Sequence, residues 1–391
     1  MITVLAAPAD FNLVTYGYAK SYNILRHLQN YDVKFYAIVN DIFAKLDLKN
    51  VTFIKLTSNH RTIDRIFFQI KLLRAVKKFL EQKKVSIVHS FNLPYGGYNL
   101  SALMNAVRDY PYVVGPVQAK HLFFYDDYII WSGRKHDLIC LEYYIVKLCR
   151  KLGSHVIDFA FRETLDKADI IIAVNNTTRK IYGEIIGDRN RIKVIPIGVN
   201  LDEFIFSLPP LNFEILSVGA LIKRKGFEYL IKAMPHILKE YPTARLHILG
   251  DGPRREYLEA LVRKLGIEAN VKFHGHIPKM KIIEFYKRCR VFVHPSLSES
   301  FSPVRLEAMA SGIPLVATDA AVGADEMIDD RKTGFLIPPR DPEAIADRVL
   351  NLFSDDKLTY KIAIKAREKV EMNYDWNKIG EKYYTIYRKL A

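Results

Sequence analysis

Long apolar runs are missing from this chain of 391 residues: none approaches the roughly 18 consecutive apolar residues that a membrane-spanning helix needs. Cysteine is scarce. Cys140, Cys149 and Cys289 are an odd number at spacings that fit no metal-ligand pattern, which argues against a disulfide framework and for a reducing, cytoplasmic compartment. No low-complexity tract occurs, and 49% of the residues are hydrophobic, so the chain is a folded globular one. Met1–Pro8 lacks the basic start of a signal peptide and reads as a first strand. The glycine fingerprint GxGxxG is absent after that strand, which counts against a dehydrogenase. An Asp-x-Asp metal motif is absent too, so no metal is expected. Acidic residues are the minority charge, 43 against 58 Lys and Arg, a net +15. Such a surplus suits an anionic partner: a membrane surface, a sugar nucleotide, a lipid phosphate or nucleic acid. The last is set aside because no RNP-like string, zinc finger or basic-zipper pattern is present.

What is present is a repeated strand, loop and helix, the grammar of an α/β protein with parallel sheets. Ile2–Pro8 is followed by a loop around Gly17 and a helix through Ala19, Ile24, Leu25 and Leu28. Val33–Val39 and Val51–Leu56 read as strands and Thr62–Gln82 as a long helix. Its mixture of Ile63, Ile66, Phe67 and Ile70 with Lys71, Arg74, Lys77 and Lys78 fits either a core-facing stripe with solvated charges or a helix on an anionic membrane. Ser86–Asn92 and Tyr112–Gln118 are further strand ends, with His89 either packed or a ligand. Lys120–Phe161 interleaves aromatics, aliphatics and cations, which suits lipid headgroups or core helices equally. Leu165–Val174 and Arg191–Phe204 close a first domain, and the Ser207–Leu211 stretch, SLPPL, is the proline-rich break expected between domains. The expected division is 1–208, 209–372, and a terminal helix in 373–391.

The second half carries the chemistry. Phe213–Val218 runs as a strand into Gly219 and then the loop Lys223-Arg224-Lys225-Gly226, a cationic turn suited to a diphosphate. Ala244–Pro253 is a strand ending in a glycine turn at Gly252. Cys289–Thr318 then reads as strand, loop, helix and a second strand at Pro314–Ala317, with Ser302 as a natural N-cap and Pro303 as the first helical residue. A helix start turned toward Glu299, Ser300 and Phe301 favours an anion there, and Glu299 and Glu307 flank it.

The string ESFSPVRLEAMASGIPLVATD, from Glu299 to Asp319, resembles the Glu-x7-Glu signature of retaining glycosyltransferases of GT-B architecture, family 4 (glycosyl transferases group 1). Strong resemblance covers Phe213–Arg340, and a looser one begins near Val85. It implies two facing Rossmann-like domains with parallel sheets, an acceptor side in 1–208, a nucleotide-sugar side in 209–372, and a C-terminal helix crossing back. It further implies that Glu299 sits beside the donor sugar and diphosphate, that Glu307 bonds the ribose, and that Lys225 is the family's phosphate lysine. Arg224, Ser300, Phe301, Ser302, Pro303, Val304, Gly252 and Gly17 are the implied donor-side residues, with backbone near Ile277 reading the base. On the acceptor side the family's histidine is replaced, with Gln118 nearest and His121 shortly after. Two more departures stand out. Ser302 fills a position that is usually glycine, and Ala220 fills that of a phosphate-binding arginine, which leaves Lys223 or Arg224 to supply the second charge.

The activity so implied is hexose transfer, with retention and without metal or cofactor, from GDP-mannose or a UDP-sugar to a lipid-linked or cell-surface glycan. The chain would be cytoplasmic, free or peripheral on the inner face of the membrane. The alternative is a non-catalytic sugar-nucleotide-binding protein that keeps the GT-B shell.

Overall fold

The structure, a computed structural model, describes residues 1–6, 20–39, 48–55, 74–82, 85–91, 109–117, 163–299 and 301–391. Contacts divide the chain into two units. The first comprises 1–121, 136–197 and 376–391; the second comprises 122–135 and 198–375.

The first unit holds a seven-stranded parallel sheet. In chain order its elements are β1 (Ile2–Ala6), α1 (Lys20–His27), β2 (Val33–Val39), β3 (Val51–Lys55), β4 (Ile87–Ser90), β5 (Tyr112–Val117), β6 (Ile170–Ala173), α2 (Asn176–Ile186) and β7 (Ile192–Val194). The strands lie in the order β3-β2-β1-β4-β5-β6-β7, with Val4 beside both Phe35 and Ile87. These strands read as nearly unbroken apolar runs because a parallel sheet is covered on both faces. α2 begins where the Asn175 side chain accepts the Thr178 amide at 2.7 Å, and stops at Gly187, whose φ of 72° is left-handed.

His89, on β4, is fully buried and packed. Its Nε2–H donates to the Gly115 carbonyl at 2.8 Å, and its Nδ1 accepts from the Tyr387 hydroxyl at 2.6 Å. Burial pushes its pKa down to about 3, so it is neutral. Tyr387 belongs to the helix Trp376–Leu390, which packs on α1 through Trp376 stacked on His27 and on the turn after α1 through Tyr384 stacked on Tyr31.

The second unit has a six-stranded parallel sheet in the order β10-β9-β8-β11-β12-β13. Its elements are β8 (Glu214–Val218), a single 3-10 turn (Lys223–Lys225), α3 (Phe227–Glu240), β9 (Arg245–Leu249), α4 (Arg255–Lys264), β10 (Val271–Phe273), α5 (Lys279–Arg288), β11 (Val291–His294), α6 (Pro303–Ser311), β12 (Leu315–Thr318), α7 (Ala324–Met327), β13 (Phe335–Ile337), α8 (Pro342–Ser354) and α9 (Asp356–Asn373). The terminal helix Trp376–Leu390 is α10. Ile215, Leu246, Ile248, Val291, Val293 and Val316 from the strands meet Leu230, Ile231, Met234 and Ile237 of α3 and Val349 and Leu352 of α8 in one core. At roughly 25 cal/mol per Å² of apolar surface, this core is the dominant stabilising contribution of the unit.

In both sheets chain order reverses once between neighbouring strands, β1 beside β4 and β8 beside β11. The loops leaving the two central strands there diverge to opposite sides and leave a crevice at the carboxyl edge.

Candidate functional site

In the second unit, the loops leaving β8 and β11 hold the cationic turn and the glutamate string. What joins them is a glycine. Gly226 has φ 66°, and a Cβ on it would stand 2.0 Å from the Pro295 carbonyl oxygen, so only glycine lets the turn lie against the β11 loop. The Leu297 amide donates to the Arg224 carbonyl at 2.7 Å, and the Ser296 hydroxyl reaches the same oxygen at 3.2 Å. Gly252 is under a like constraint, since a Cβ there would meet the Leu221 backbone at 2.7–2.9 Å.

This seam brings Glu299 to two cations. Its Oε2 accepts from Lys225 Nζ at 2.5 Å and from Arg224 Nη1 at 3.2 Å, and the same Nη1 donates to the Ser298 carbonyl at 2.8 Å. Glu299 is 6% exposed. Burial by itself pushes the carboxyl up, but Lys225 and Arg224 outweigh it and hold the group down at about 2. Burial also pulls Lys225 below the usual lysine range, against the attraction of Glu299. Of the two candidates for the second charge, Arg224 is in the cluster and Lys223 is exposed.

Beside this cluster is a second, buried one. Arg305, 1% exposed on α6, donates through Nε to His294 Nδ1 at 3.0 Å and through Nη2 to the Thr318 carbonyl at 2.9 Å. Burial and the neighbouring cations Arg305, Lys225 and Arg224 keep His294 far below its usual range, hence neutral. The Thr318 hydroxyl donates to the Ser296 carbonyl at 2.5 Å and so holds the β11 loop from below. Reading the sequence left out Arg305 and His294. The available signal was an arginine in the middle of α6, where Leu306, Ala308, Met309 and Ala310 leave no wet face. A buried guanidinium in such a helix requires partners.

Ser302 occupies the N-cap position of α6, yet its side chain does not cap. Its hydroxyl is turned inward, 3.5 Å from His294 Nε2, and its carbonyl takes the Arg305 amide instead. A buried imidazole needing a polar neighbour outcompetes an amide at the helix start. Pro303 and Val304 are the first helical residues, half-buried. The early amides of a helix have no intrahelical acceptor and carry the positive end of its dipole. Phe301 is buried beside them.

Glu307, one turn on in α6, is 3% exposed and faces a different environment. Its Oε2 accepts the Tyr286 hydroxyl at 2.9 Å, and its Oε1 is buried without a hydrogen-bond partner among the described residues. Burial alone pushes this carboxyl up to about 8. Ile277 stands half-buried in the turn before α5. Gly17, Gln118, His121 and Ser300 lie outside the described residues, as do the aromatic segment 120–161 and most of the expected helix Thr62–Gln82. Among the described residues, no helix is long and apolar enough to cross a membrane.

Two family models match successive parts of the chain: Glycosyltransferase Family 4 over residues 22–203 and Glycosyl transferases group 1 over residues 202–369. An uncharacterized glycosyltransferase of Methanocaldococcus jannaschii is 32% identical over 58% of this chain and 62% of its own length. A GDP-mannose-dependent alpha-(1-6)-phosphatidylinositol monomannoside mannosyltransferase of Mycolicibacterium smegmatis is 28% identical over 56% of this chain and 62% of its own. The chain thus matches less than two thirds of the length of either relative. The crystal structure of a glycosyltransferase from Rickettsia africae ESF-5 superposes with a TM-score of 0.72 at 19% identity, over all of this chain and 98% of that one.

Proposed function

The chain belongs to the glycosyl transferases group 1 of family 4 type, with the GT-B fold, and from that premise we propose that it moves a hexose from a nucleotide diphosphate sugar to an acceptor hydroxyl with retention of configuration. The observation that carries this reading is the buried cluster in which Glu299 takes Lys225 and Arg224 on one carboxylate oxygen at the start of α6.

The donor diphosphate lies against Lys225, Arg224 and the first amides of α6. As the bond from the anomeric carbon to the phosphate oxygen lengthens, negative charge grows on the leaving group, and these fixed donors stabilise it more than they stabilise the ground state. Metal is not needed for that step, since two cations are already in place. Glu299 keeps both cations oriented and stands beside the sugar as positive charge grows at the anomeric carbon. The departing phosphate takes the acceptor's proton, which delivers the acceptor to the face that the leaving group vacates. Glu307 bonds the ribose: a sugar hydroxyl that reaches Oε1 supplies the hydrogen bond this buried oxygen lacks. Gly252 lets backbone approach the donor, and the turn at Ile277 lies on the side of the base.

The M. smegmatis relative is GDP-mannose-dependent by name, so GDP-mannose is the first donor to try, with UDP-hexoses second. The proposed acceptor is a lipid-linked or cell-surface glycan, reached by peripheral contact of the net +15 chain with an anionic membrane from the cytoplasmic side.

A thermal-shift screen against GDP, UDP, ADP and their hexose conjugates tests the donor side. A nucleotide at about 100 times its dissociation constant adds about 2.7 kcal/mol of stability, and Glu307→Ala loses that gain. Transfer by wild type should persist in chelator and yield a product of unchanged anomeric configuration by NMR. Lys225→Ala should lower kcat by about 10²–10³-fold, the scale for losing one fixed donor. Nucleotide binding without turnover on any hexosyl donor sinks the catalytic reading and leaves the binding shell, whereas turnover intact in Glu299→Ala removes the role given to that carboxylate. Liposome flotation tests the membrane contact, and recovery with anionic vesicles should fall as salt rises.

A further inference from the structure

At the amino end of β8, five residues and roughly 16 Å of extended strand before Gly219, a second group of side chains converges. Glu214 begins β8, His247 lies in β9, and Cys289 follows α5. One donor atom from each lies within 4.8 Å of the others, and Glu214 Oε2 and His247 Nε2 are 3.6 Å apart. Tetrahedral zinc with bonds of about 2.0–2.3 Å holds neighbouring ligands about 3.4–3.7 Å apart. The Glu–His spacing already fits that range, and an approach of about 1 Å brings the sulfur in.

A positive charge occupies this point already. The Arg288 guanidinium lies 3.1 Å from Glu214 Oε2 and 3.4 Å from His247 Nε2, and it also meets the Cys289 sulfur. An arginine only donates, so the lone pair of His247 Nε2 must point at it and the ring proton must sit on Nδ1. That proton has its acceptor: Nδ1 is 3.0 Å from His274 Nε2. The ring is therefore in the tautomer a metal requires, held by an outer partner as metal-binding histidines are. Arg288 itself is 53% exposed, with its guanidinium 4.4 Å over the Phe285 ring. Glu214, His247 and Arg288 line a surface cavity of about 320 Å³ rimmed by Arg245 and Lys272, while Cys289 is buried.

We propose that Glu214, His247 and Cys289 form a binding site for a divalent transition ion of the zinc class, with Arg288 as the cation that fills it when no ion is bound. On binding, the Sγ–metal bond forms as the thiol proton leaves to solvent, Arg288 moves out, and water or an anion drawn by the rim cations takes the fourth position. The ion would tie the start of β8 and the middle of β9 to the end of α5, a structural role separate from sugar transfer.

The test uses the full chain, stripped with chelator, loaded with zinc or cobalt(II) and desalted. One ion per chain by mass spectrometry is expected, with cobalt giving the thiolate charge-transfer band in the near ultraviolet. Cys289→Ser should abolish that band although Cys140 and Cys149 remain. His274→Ala should weaken binding by about 10–100-fold, the usual effect of losing an outer partner, while Arg288→Ala should tighten it by removing the competing charge. These last two variants keep the proposal testable if Cys289→Ser does not fold. No stoichiometric ion on wild type or Arg288→Ala, or a band that survives in folded Cys289→Ser, overturns it.

Discussion

Glu299 and Glu307 come from one sequence motif and are both buried, yet their surroundings drive them apart, one to about 2 and the other to about 8. Charge partners decide the first and their lack decides the second. For Glu307 the stability consequence has a definite sign. Below about pH 4.5 folded and unfolded chains both hold the proton. Between about 4.5 and 8 only the folded chain holds it, so stability falls as pH rises through that window, and the full cost applies above it. Glutamine has no proton to lose, so Glu307→Gln should gain on wild type by about 2–5 kcal/mol between pH 4.5 and pH 8, measured by urea melts at both ends. A constant difference would show that the carboxyl is ionised in the fold. Glu299 has the opposite sign: its contribution is present above about pH 4.5 and fades as pH falls toward 2. At this scale the sequence announced the two carboxylates and the Lys-Arg-Lys turn, because string and spacing are local. Arg305, His294 and Tyr286 were hidden, since what makes them matter is burial against residues distant in the chain.

In the second unit β8, β9, β11, α6 and β12 were legible as short apolar runs or capped helices bounded by turn residues, while α4, α7, α8 and α9 were not read. The strand foreseen after Gly312 runs Leu315–Thr318 rather than from Pro314, and a one-residue offset of this kind is usual at element ends. Ser302 stands at the N-cap position as read, but its capping bond is missing because helix-start rules count the amide's need and not that of a buried imidazole eight residues earlier. The seam between the β8 and β11 loops was also invisible, as it depends on one left-handed glycine. Gly226→Ala tests that seam. The substitution carries a left-handed penalty of about 1–3 kcal/mol and a Cβ forced against Pro295, so it should lower the melting temperature and weaken nucleotide binding together. Gly187→Ala is the control: its φ is as positive, but nothing lies within 4 Å of the added Cβ, so it should cost stability alone.

For the molecule as a whole, alternating strands and helices made the α/β class and parallel sheets legible, and composition placed the chain among globular proteins. Strand order was not readable, because pairing β1 with β4 depends on contacts far apart in sequence. Nor was the neutral, doubly bonded His89, whose hydroxyl partner is 298 residues away. Tyr387→Phe leaves its Nδ1 buried without a donor and should cost about 1–3 kcal/mol by urea melts; an unchanged midpoint would mean that the ring finds another partner. That helix, α10, has a further consequence. It is part of the first unit but is translated after Gly198–Asp375, a stretch that takes roughly ten to thirty seconds at about 5–20 residues per second. On the ribosome the first unit must wait through that interval with the Tyr387 side of His89 unfilled, while the second unit emerges as one almost continuous piece. Synthesis therefore finishes the second unit first, and a chain released at Asp375 keeps that unit but leaves the first unfinished.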